Sequence, residues 1–488
     1  VHPPARGAHL AYSAAAADRR LTDPQDTDSS VTSTMTTPRD DYLDSLALQA
    51  CITCWPLFEM QRMRAATSAR KAPGLGFAGA SPESTERWCN LFTLERALLV
   101  AGKSRVVMPN NDTLYVNAWI DLSAGPLVIS VPDTGSRYYV LGMLDYYTNP
   151  FASVGSRTTG NGAGSVLLSG PKWDGEVAAE HQSTGRHLRS DTDWVWIIGR
   201  ILVDGPADVP AVNALQDQFR MQTLDDWRAG CDSPPRRFDS RFVPRAPFSM
   251  DRFLSMVNDA LRMCPPPDRH GALMAQFAPL GFGPDAPTPV PQDARQALER
   301  ACMRSQALLD SAQQQVFGTQ SDDTQHGWRQ PMALGQNFGD DLLLRAFISR
   351  QSIGALETLE AAYPRCDTDA DGLPLSGEHV YAIRFGPDQL PPVDAFWSIT
   401  LYASSDCFLV PNAIERYAIG DRTSALARDP DGGLTIIIAH AAPLDAAQRA
   451  NWLPAPADRF FLCLRAYLPR PEMLDGRYRL PDPRRLFG

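Results

Sequence analysis

Residues 114–144 read LYVNAWIDLSAGPLVISVPDTGSRYYVLGML. Three apolar runs, Leu114–Ile120, Leu127–Val131 and Tyr138–Leu144, are rich in β-branched and aromatic residues, and the turn former Pro132-Asp133-Thr134-Gly135 separates the last two. Short runs of this composition, closed off by Gly, Pro, Asp or Ser, fit strands of a buried sheet and give a helix no continuous stripe. The texture continues in Ser165–Leu168 and Trp194–Val203, with Gly160-Asn161-Gly162 and Gly170-Pro171 as further turns. It returns in Val380–Phe385, Phe396–Tyr402, Leu434–Ala439 and Phe460–Tyr467. The expected class is α+β and β-rich, with each strand-rich stretch closing as a β-sandwich or barrel.

The stretch between them has helical spacing. Val212, Leu215 and Phe219 begin it; Phe253, Leu254, Val257 and Leu261 continue until Pro265-Pro266-Pro267. Leu298, Cys302, Ser305, Leu309, Ala312 and Val316 fall on one stripe, and residues 340–362 read as another helix ended by Pro364. A further helix covers residues 41–67, with Pro56 as a kink or junction. The division is a disordered lead-in at 1–38, a helix plus first β domain at 39–207, a helical connecting region at 208–365 and a second β domain at 366–488.

Of 488 residues, 46 are basic and 56 acidic, for a formal charge of −10; 44% are hydrophobic and 21% charged. An acidic chain with no basic stripe argues against a nucleic-acid binder. No apolar run reaches the ~18–20 residues of a membrane helix, so integral membrane insertion is not expected. Only Lys71, Lys103 and Lys172 are lysines, so the arginines reflect a chain-wide bias and a single arginine says little about anion recognition. Nine cysteines, an odd number thinly spread, read as buried free thiols. Cys51 and Cys54 are the one close pair, and they sit inside an apolar helical run, where core packing is the expectation. No secretory leader is legible, which points to the cytoplasm, with a periplasmic or secreted location as the alternative.

G-x-S-x-G, H-E-x-x-H and P-loop signatures are absent. Gly74-x-Gly76-x-x-Gly79 follows a helical run instead of a strand and reads as a loop. His181 and His187 flank a polar loop, and His440 ends an apolar run; none is spaced as a metal pair. Asp367-x-Asp369-x-Asp371-Gly372-x5-Glu378 fits a twelve-residue calcium loop, but Pro364 before it and the strand-like Val380–Phe385 after it are a poor frame for one. A solvated turn is the expectation there and calcium the alternative; no other metal or cofactor is expected. The densest polar cluster is Pro109-Asn110-Asn111-Asp112-Thr113-Leu114-Tyr115. It reads as a turn through its Asn and Asp side chains, or as a site with Asp112 as acid or base. Asp145, at the end of Tyr138–Leu144, is the second catalytic candidate; Asn110, Asn111, Tyr115 and Arg157 are the substrate-binding candidates. A buried Arg465, inside Phe460–Tyr467, would need an acceptor and could tie the two β domains together.

MPNNDTLYV (108–116), DLSAGPLVISVPDTGSRYYVLGMLD (121–145), SVGSRTTG (153–160) and WVWIIGRILVD (194–204) resemble the bacterial family of unknown function numbered 1254. LPPVDAFWSITLYA (390–403), DGGLTIIIAH (431–440), NWLPAP (451–456) and FFLCLRAYLP (460–469) resemble the companion family numbered 1214. Together the resemblance spans roughly residues 40–480. It implies two jelly-roll-like β-sandwich domains joined by helices, homo-oligomers in some relatives, and suggested carbohydrate-related or bioemulsifying roles. It supplies no catalytic residues.

Two functions remain open. One is an enzyme acting on a small organic or sugar-like molecule without a redox cofactor, with Asp112 and Asp145 sharing a pocket around the PNNDTLY motif. The other is a non-catalytic, oligomeric binder of a carbohydrate or amphiphile, suggested by strand aromatics such as Tyr138, Tyr139, Trp397 and Tyr402.

Overall fold

The computed structural model describes residues 37–70, 85–103, 108–177, 186–240, 247–283, 286, 289–318, 327–329 and 338–486, with backbone alone at 310 and 312–318. All of the lead-in up to residue 36, the Gly74–Gly79 match, His181 and the side chains of Ala312 and Val316 lie outside the described residues.

The first β-rich unit has two sheets. One runs in the order β1 (Thr93–Leu94), β2 (Thr113–Asp121), β8 (Trp194–Leu202), β4 (Tyr139–Asp145), β5 (Pro150–Gly155). The other runs β9 (Arg220–Thr223), β3 (Leu127–Val131), β6 (Gly164–Ser169), β7 (His187–Arg189). Leu114, Val116, Ala118 and Ile120 of β2 share one apolar cluster with Leu127, Ile129 and Val131 of β3 and Val166 and Leu168 of β6. Alternation along each strand therefore fills a core between the sheets and leaves the opposite face of the five-stranded sheet for other partners. Strand β9 comes from beyond residue 207, out of the stretch that the sequence reading gave to helices.

The second unit repeats the plan. One sheet runs β10 (Trp328–Arg329), β12 (Arg365–Cys366), β18 (Phe460–Pro469), β14 (Val393–Ala403), β15 (Ala418–Gly420), with β11 (Ala361–Ala362) also paired to β18. The other runs β17 (Trp452–Pro454), β16 (Leu434–Ala439), β13 (Val380–Phe385), β19 (Arg484–Leu486). Trp397, Ile399 and Leu401 of β14 and Leu462 and Leu464 of β18 meet Ile383, Phe385, Ile436 and Ile438 of the second sheet in one core.

Helices form the third body. The chain enters α1 (Pro38–Thr67) through a capping box, in which the Thr37 hydroxyl accepts from the Asp40 amide and the Asp40 carboxylate accepts from the Thr37 amide. The helix passes through Pro56 without ending, so this proline marks no junction. Helices α2 (Met250–Met263), α3 (Asp268–Gln276), α4 (Gln292–Gly318) and α5 (Leu342–Gln351) surround it, and Cys51 and Cys54 are buried in the shared core. Burial pushes both thiols up, which suits packing and not redox chemistry. The helix expected over 340–362 stops at Gln351. Gly354 takes φ +82° against Trp196 and Ile198, and Ala361–Ala362 become an edge pairing on β18. A local helical pattern thus loses to sheet pairing. Among the described residues no helix is long and apolar enough to cross a membrane.

Candidate functional site

The outward face of the five-stranded sheet carries Tyr115, Asn117 and Trp119 of β2 and Trp196, Ile198, Arg200 and Leu202 of β8, set by the same two-residue period that sends their neighbours into the core. One end of this face lies on the helical layer. The other end, where Tyr115 pairs with Arg200, meets the outward face of β14 and β18, which carries Phe396, Ser398, Thr400, Tyr402, Cys463, Arg465 and Tyr467.

The PNND turn is wedged into this meeting of sheets. The Asn110 side-chain Oδ1 accepts from the Asp112 amide at 2.7 Å, an Asx turn as the local reading expects. The rest of the turn looks across to the other unit. Asn110 Nδ2 donates to Tyr467 Oη at 2.6 Å, and Tyr402 Oη donates to the Pro109 carbonyl at 2.7 Å. Asp112 accepts from Ser398 Oγ at 2.6 Å and Arg422 Nη2 at 2.9 Å. Arg422 also donates to the Val203 carbonyl at 2.9 Å and lies over the Phe396 ring at 4.2 Å. Arg465 donates to Thr400 Oγ1 at 2.8 Å and to the Met108 carbonyl at 2.9 Å, so it does tie the two units.

The six candidate residues separate. Asn110, Asp112 and Tyr115 belong to this junction; the Tyr115 hydroxyl accepts from the Asn110 amide at 3.4 Å. Asn111 turns away and donates to the Leu99 carbonyl at 2.5 Å. Arg157 pairs with Glu357 and, at 2.6 Å, with Glu360, which accepts from Tyr138 Oη at 2.7 Å, and so it joins the same end of the face through Tyr138. Those glutamates border a shallow cleft with Met143, Pro150, Ser153 and Leu356.

Asp145 is elsewhere, and the expected Asp112–Asp145 pair does not form. Thr113 is opposite Leu202 on β8, whereas Asp145 is opposite Val195. With Asp112 one residue before Thr113, eight steps at ~3.3 Å each put the two residues about 25 Å apart along the strands, at opposite ends of one sheet. Asp145 instead closes the turn after β4, accepting from the Tyr147 and Asn149 amides at 2.9 Å and from Asn149 Nδ2 at 2.8 Å. Burial pushes its pKa up, against the pull of these donors and of Arg345.

At the calcium-like loop, Asp367 is held by Arg329 and Arg365, at 2.7 and 2.6 Å. Asp369 is fully buried, accepts from the Asp371 and Leu373 amides, and meets Arg485 Nε at 2.6 Å. These two acids are built into ion pairs and a tight turn, while Asp371, Gly372, Leu373 and Pro374 at the tip are exposed, so the solvated turn expected from sequence is present at the tip alone. Among the described residues no three His, Cys, Asp or Glu side chains are grouped as metal ligands would be.

The sequence reading missed the centre of the junction. Arg200 is 7% exposed, its guanidinium 5.6 Å from the Tyr115 ring centre; Nη2 reaches the Gly354 carbonyl at 3.4 Å and Nη1 has no partner. The buried hydroxyl of Tyr363 has the Tyr467 phenol as a neighbour but makes no hydrogen bond of good geometry. Tyr467 lies close by, with its ring 6.5 Å from that of Tyr363 and 5.1 Å from that of Tyr138. Burial holds the phenols of Tyr138, Tyr363 and Tyr467 above their ordinary range, so all three are neutral at physiological pH.

A guanidinium–phenol cluster buried where two β-rich units meet defines a two-unit β-rich chain with its polar chemistry at the joint. Residues 89–223 match the family described as "Protein of unknown function (DUF1254)" and residues 360–471 the one described as "Protein of unknown function (DUF1214)". The chain therefore carries the paired 1254 and 1214 domains, in that order. No curated protein matches it. The crystal structure of the VPA0106 protein from Vibrio parahaemolyticus is similar over 91% of this chain and 100% of its own, at 23% identity and a TM-score of 0.66, a likeness of fold. The structure of a protein from Burkholderia cenocepacia aligns over 92% of this chain and 93% of its own, at 13% identity and a TM-score of 0.39, too low to support an argument.

Proposed function

We propose that the chain binds a small organic molecule at the junction of its two β-rich units, beside the Pro109–Tyr115 turn. The observation that carries this reading is the unpartnered buried Arg200 Nη1 in one cluster with the Tyr363 hydroxyl, whose contact with Tyr467 lacks good hydrogen-bond geometry. Each unmade hydrogen bond costs about 1–3 kcal/mol. An unmet guanidinium donor beside a poorly satisfied phenol makes sense if a ligand group completes them. The part-exposed rings of Tyr115 and Tyr363 offer apolar surface to the body of such a molecule. Asp112, held by Ser398 and Arg422, serves as an anchor between the units, so binding is favoured over chemistry by paired carboxylates.

The test is a thermal-shift panel of sugars, amphiphiles and small organic molecules on the full chain, with product analysis of every compound that shifts the midpoint. Binding that Tyr363→Phe weakens supports the reading. Binding that neither Tyr363→Phe nor Arg200→Met alters would place the ligand elsewhere. Turnover of a bound compound would restore the enzymatic reading with a phenol as the acid–base group. Light scattering tests the expected homo-oligomer.

A further inference from the structure

We infer that the ligand of this junction carries an oxyanion, a carboxylate or a phosphate, which binds between Arg200 and Arg465. The inference rests on the binding reading above and adds the charge class. Arg200 and Arg465 are 7% and 4% exposed. They come from different units, Arg200 from β8 and Arg465 from β18, and they share the phenols of Tyr363 and Tyr467 as close neighbours. Among the described residues neither guanidinium has a carboxylate ion partner; Asp112, the acid near Arg465, is already held by Arg422.

Neutral phenols can accept hydrogen bonds from a guanidinium, and their rings can lie under one, but they do not cancel its charge. The 5.6 Å contacts of Arg200 with Tyr115 and of Arg465 with Tyr402 are of this kind. An uncompensated buried cation is among the most costly groups a fold can hold. The part-buried Arg422 and Arg365 pair with Asp112 and Asp367. Among the other buried guanidiniums, Arg64 lies singly among rings and Arg345 has Asp145 nearby, so the junction differs in holding two such cations together. Two without an acid in one cluster leave a deficit of negative charge that an oxyanion fills. A guanidinium presents parallel N–H donors matched to carboxylate and phosphate oxygens. The Asn110 amide and the Tyr363 hydroxyl are at hand for further bonds to the same group.

The experiment compares charged probes with neutral counterparts of equal shape: benzoate with benzamide, succinate with succinamide, and inorganic phosphate alone. Midpoint shifts and calorimetric affinities are measured on wild type, Arg200→Met, Arg465→Met, Tyr363→Phe and Arg384→Gln. The last removes one positive charge from the far sheet as a control. The acids should bind, the amides should bind at least about tenfold more weakly, and Arg200→Met should erase that difference while Arg384→Gln keeps it. Binding of phosphate but not of the carboxylates assigns the oxyanion to a phosphate source; the converse assigns a carboxylate.

Amides that bind as tightly as acids, in a manner sensitive to Tyr363→Phe, would overturn the anion inference and leave the binding reading intact. Acids that bind equally to wild type and to all three junction variants would overturn both. The ligand-free midpoint gives a readout that needs no probe. Arg200→Met should hold or raise it, because a costly buried charge is removed. A fall of several degrees, with no binding of any probe, would make Arg200 a structural strut and overturn the inference.

Discussion

The two ends of one sheet face solve the same burial problem differently. At the helical end, Trp119 and Trp196 stack at 5.5 Å with planes 4° apart, under the helical layer. Both indole N–H groups are satisfied, by Thr67 Oγ1 at 2.9 Å and Asn117 Oδ1 at 2.7 Å. Four residues along the same strands, Arg200 pairs with the half-buried Tyr115 and is itself nearly as well covered, yet leaves its Nη1 unmatched. Burial with unequal satisfaction separates a region built for stability from one that gives up stability to keep a donor available.

The contrast can be broken in order of expected effect. Trp196→Ala removes a stacked ring from a filled core and should cost about 3–5 kcal/mol in urea unfolding. A cost no greater than that of Arg200→Met would end the distinction between the ends. Asp112→Ala should come next, at about 2–3 kcal/mol, because it strands the Ser398 hydroxyl and one side of the Arg422 guanidinium. Asp112→Asn, which keeps the bond from Ser398, should lose less, and equal losses would show that charge is unimportant at this contact. Ser398→Ala should cost about 1 kcal/mol, the scale of a single hydrogen bond, measured by the same titration.

The smallest effect is a pH dependence. Burial pushes the Asp421 carboxyl up to about 6, against the pull of the neighbouring Arg422. A raised folded-state pKa means that the fold holds a proton which the unfolded chain gives up. The associated stability is present below the ordinary aspartate range and is lost as pH rises toward about 6. Asp421→Asn should flatten the stability profile between about pH 4 and 6, by less than about 1 kcal/mol because the group is part-exposed. An unchanged profile would show that Arg422 is shared differently between Asp112 and Asp421.

The strands were legible because each carries its own signal: Leu127–Val131, Val380–Phe385 and Leu434–Ala439 match the sequence reading residue for residue. The Asn110 turn was legible for the same reason, since its hydrogen bond spans two residues. The junction was not, because its contacts join residues far apart in the chain. Asp112 finds Ser398 and Arg422 at separations of 286 and 310 residues, and no periodicity encodes that. Asp145 looked like a partner for Asp112 because both flank apolar runs, yet strand ends alternate between opposite edges of an antiparallel sheet. Arg200 had a visible signal, a lone guanidinium inside WVWIIGRIL, of the kind that drew attention to Arg465 in FFLCLRAYLP. The chain-wide excess of arginine masked it.

Gly199, the residue beside Arg200, sets the register of this strand. A Cβ there would come within 2.6 Å of Leu141 and 3.1 Å of Val116, so only hydrogen fits on the inner face at that step. A slip of one residue would swing Arg200 or Ile198 into the gap, forcing a guanidinium or a branched side chain where no volume exists. The close fit at Gly199 therefore fixes the register that carries Arg200 to the junction face.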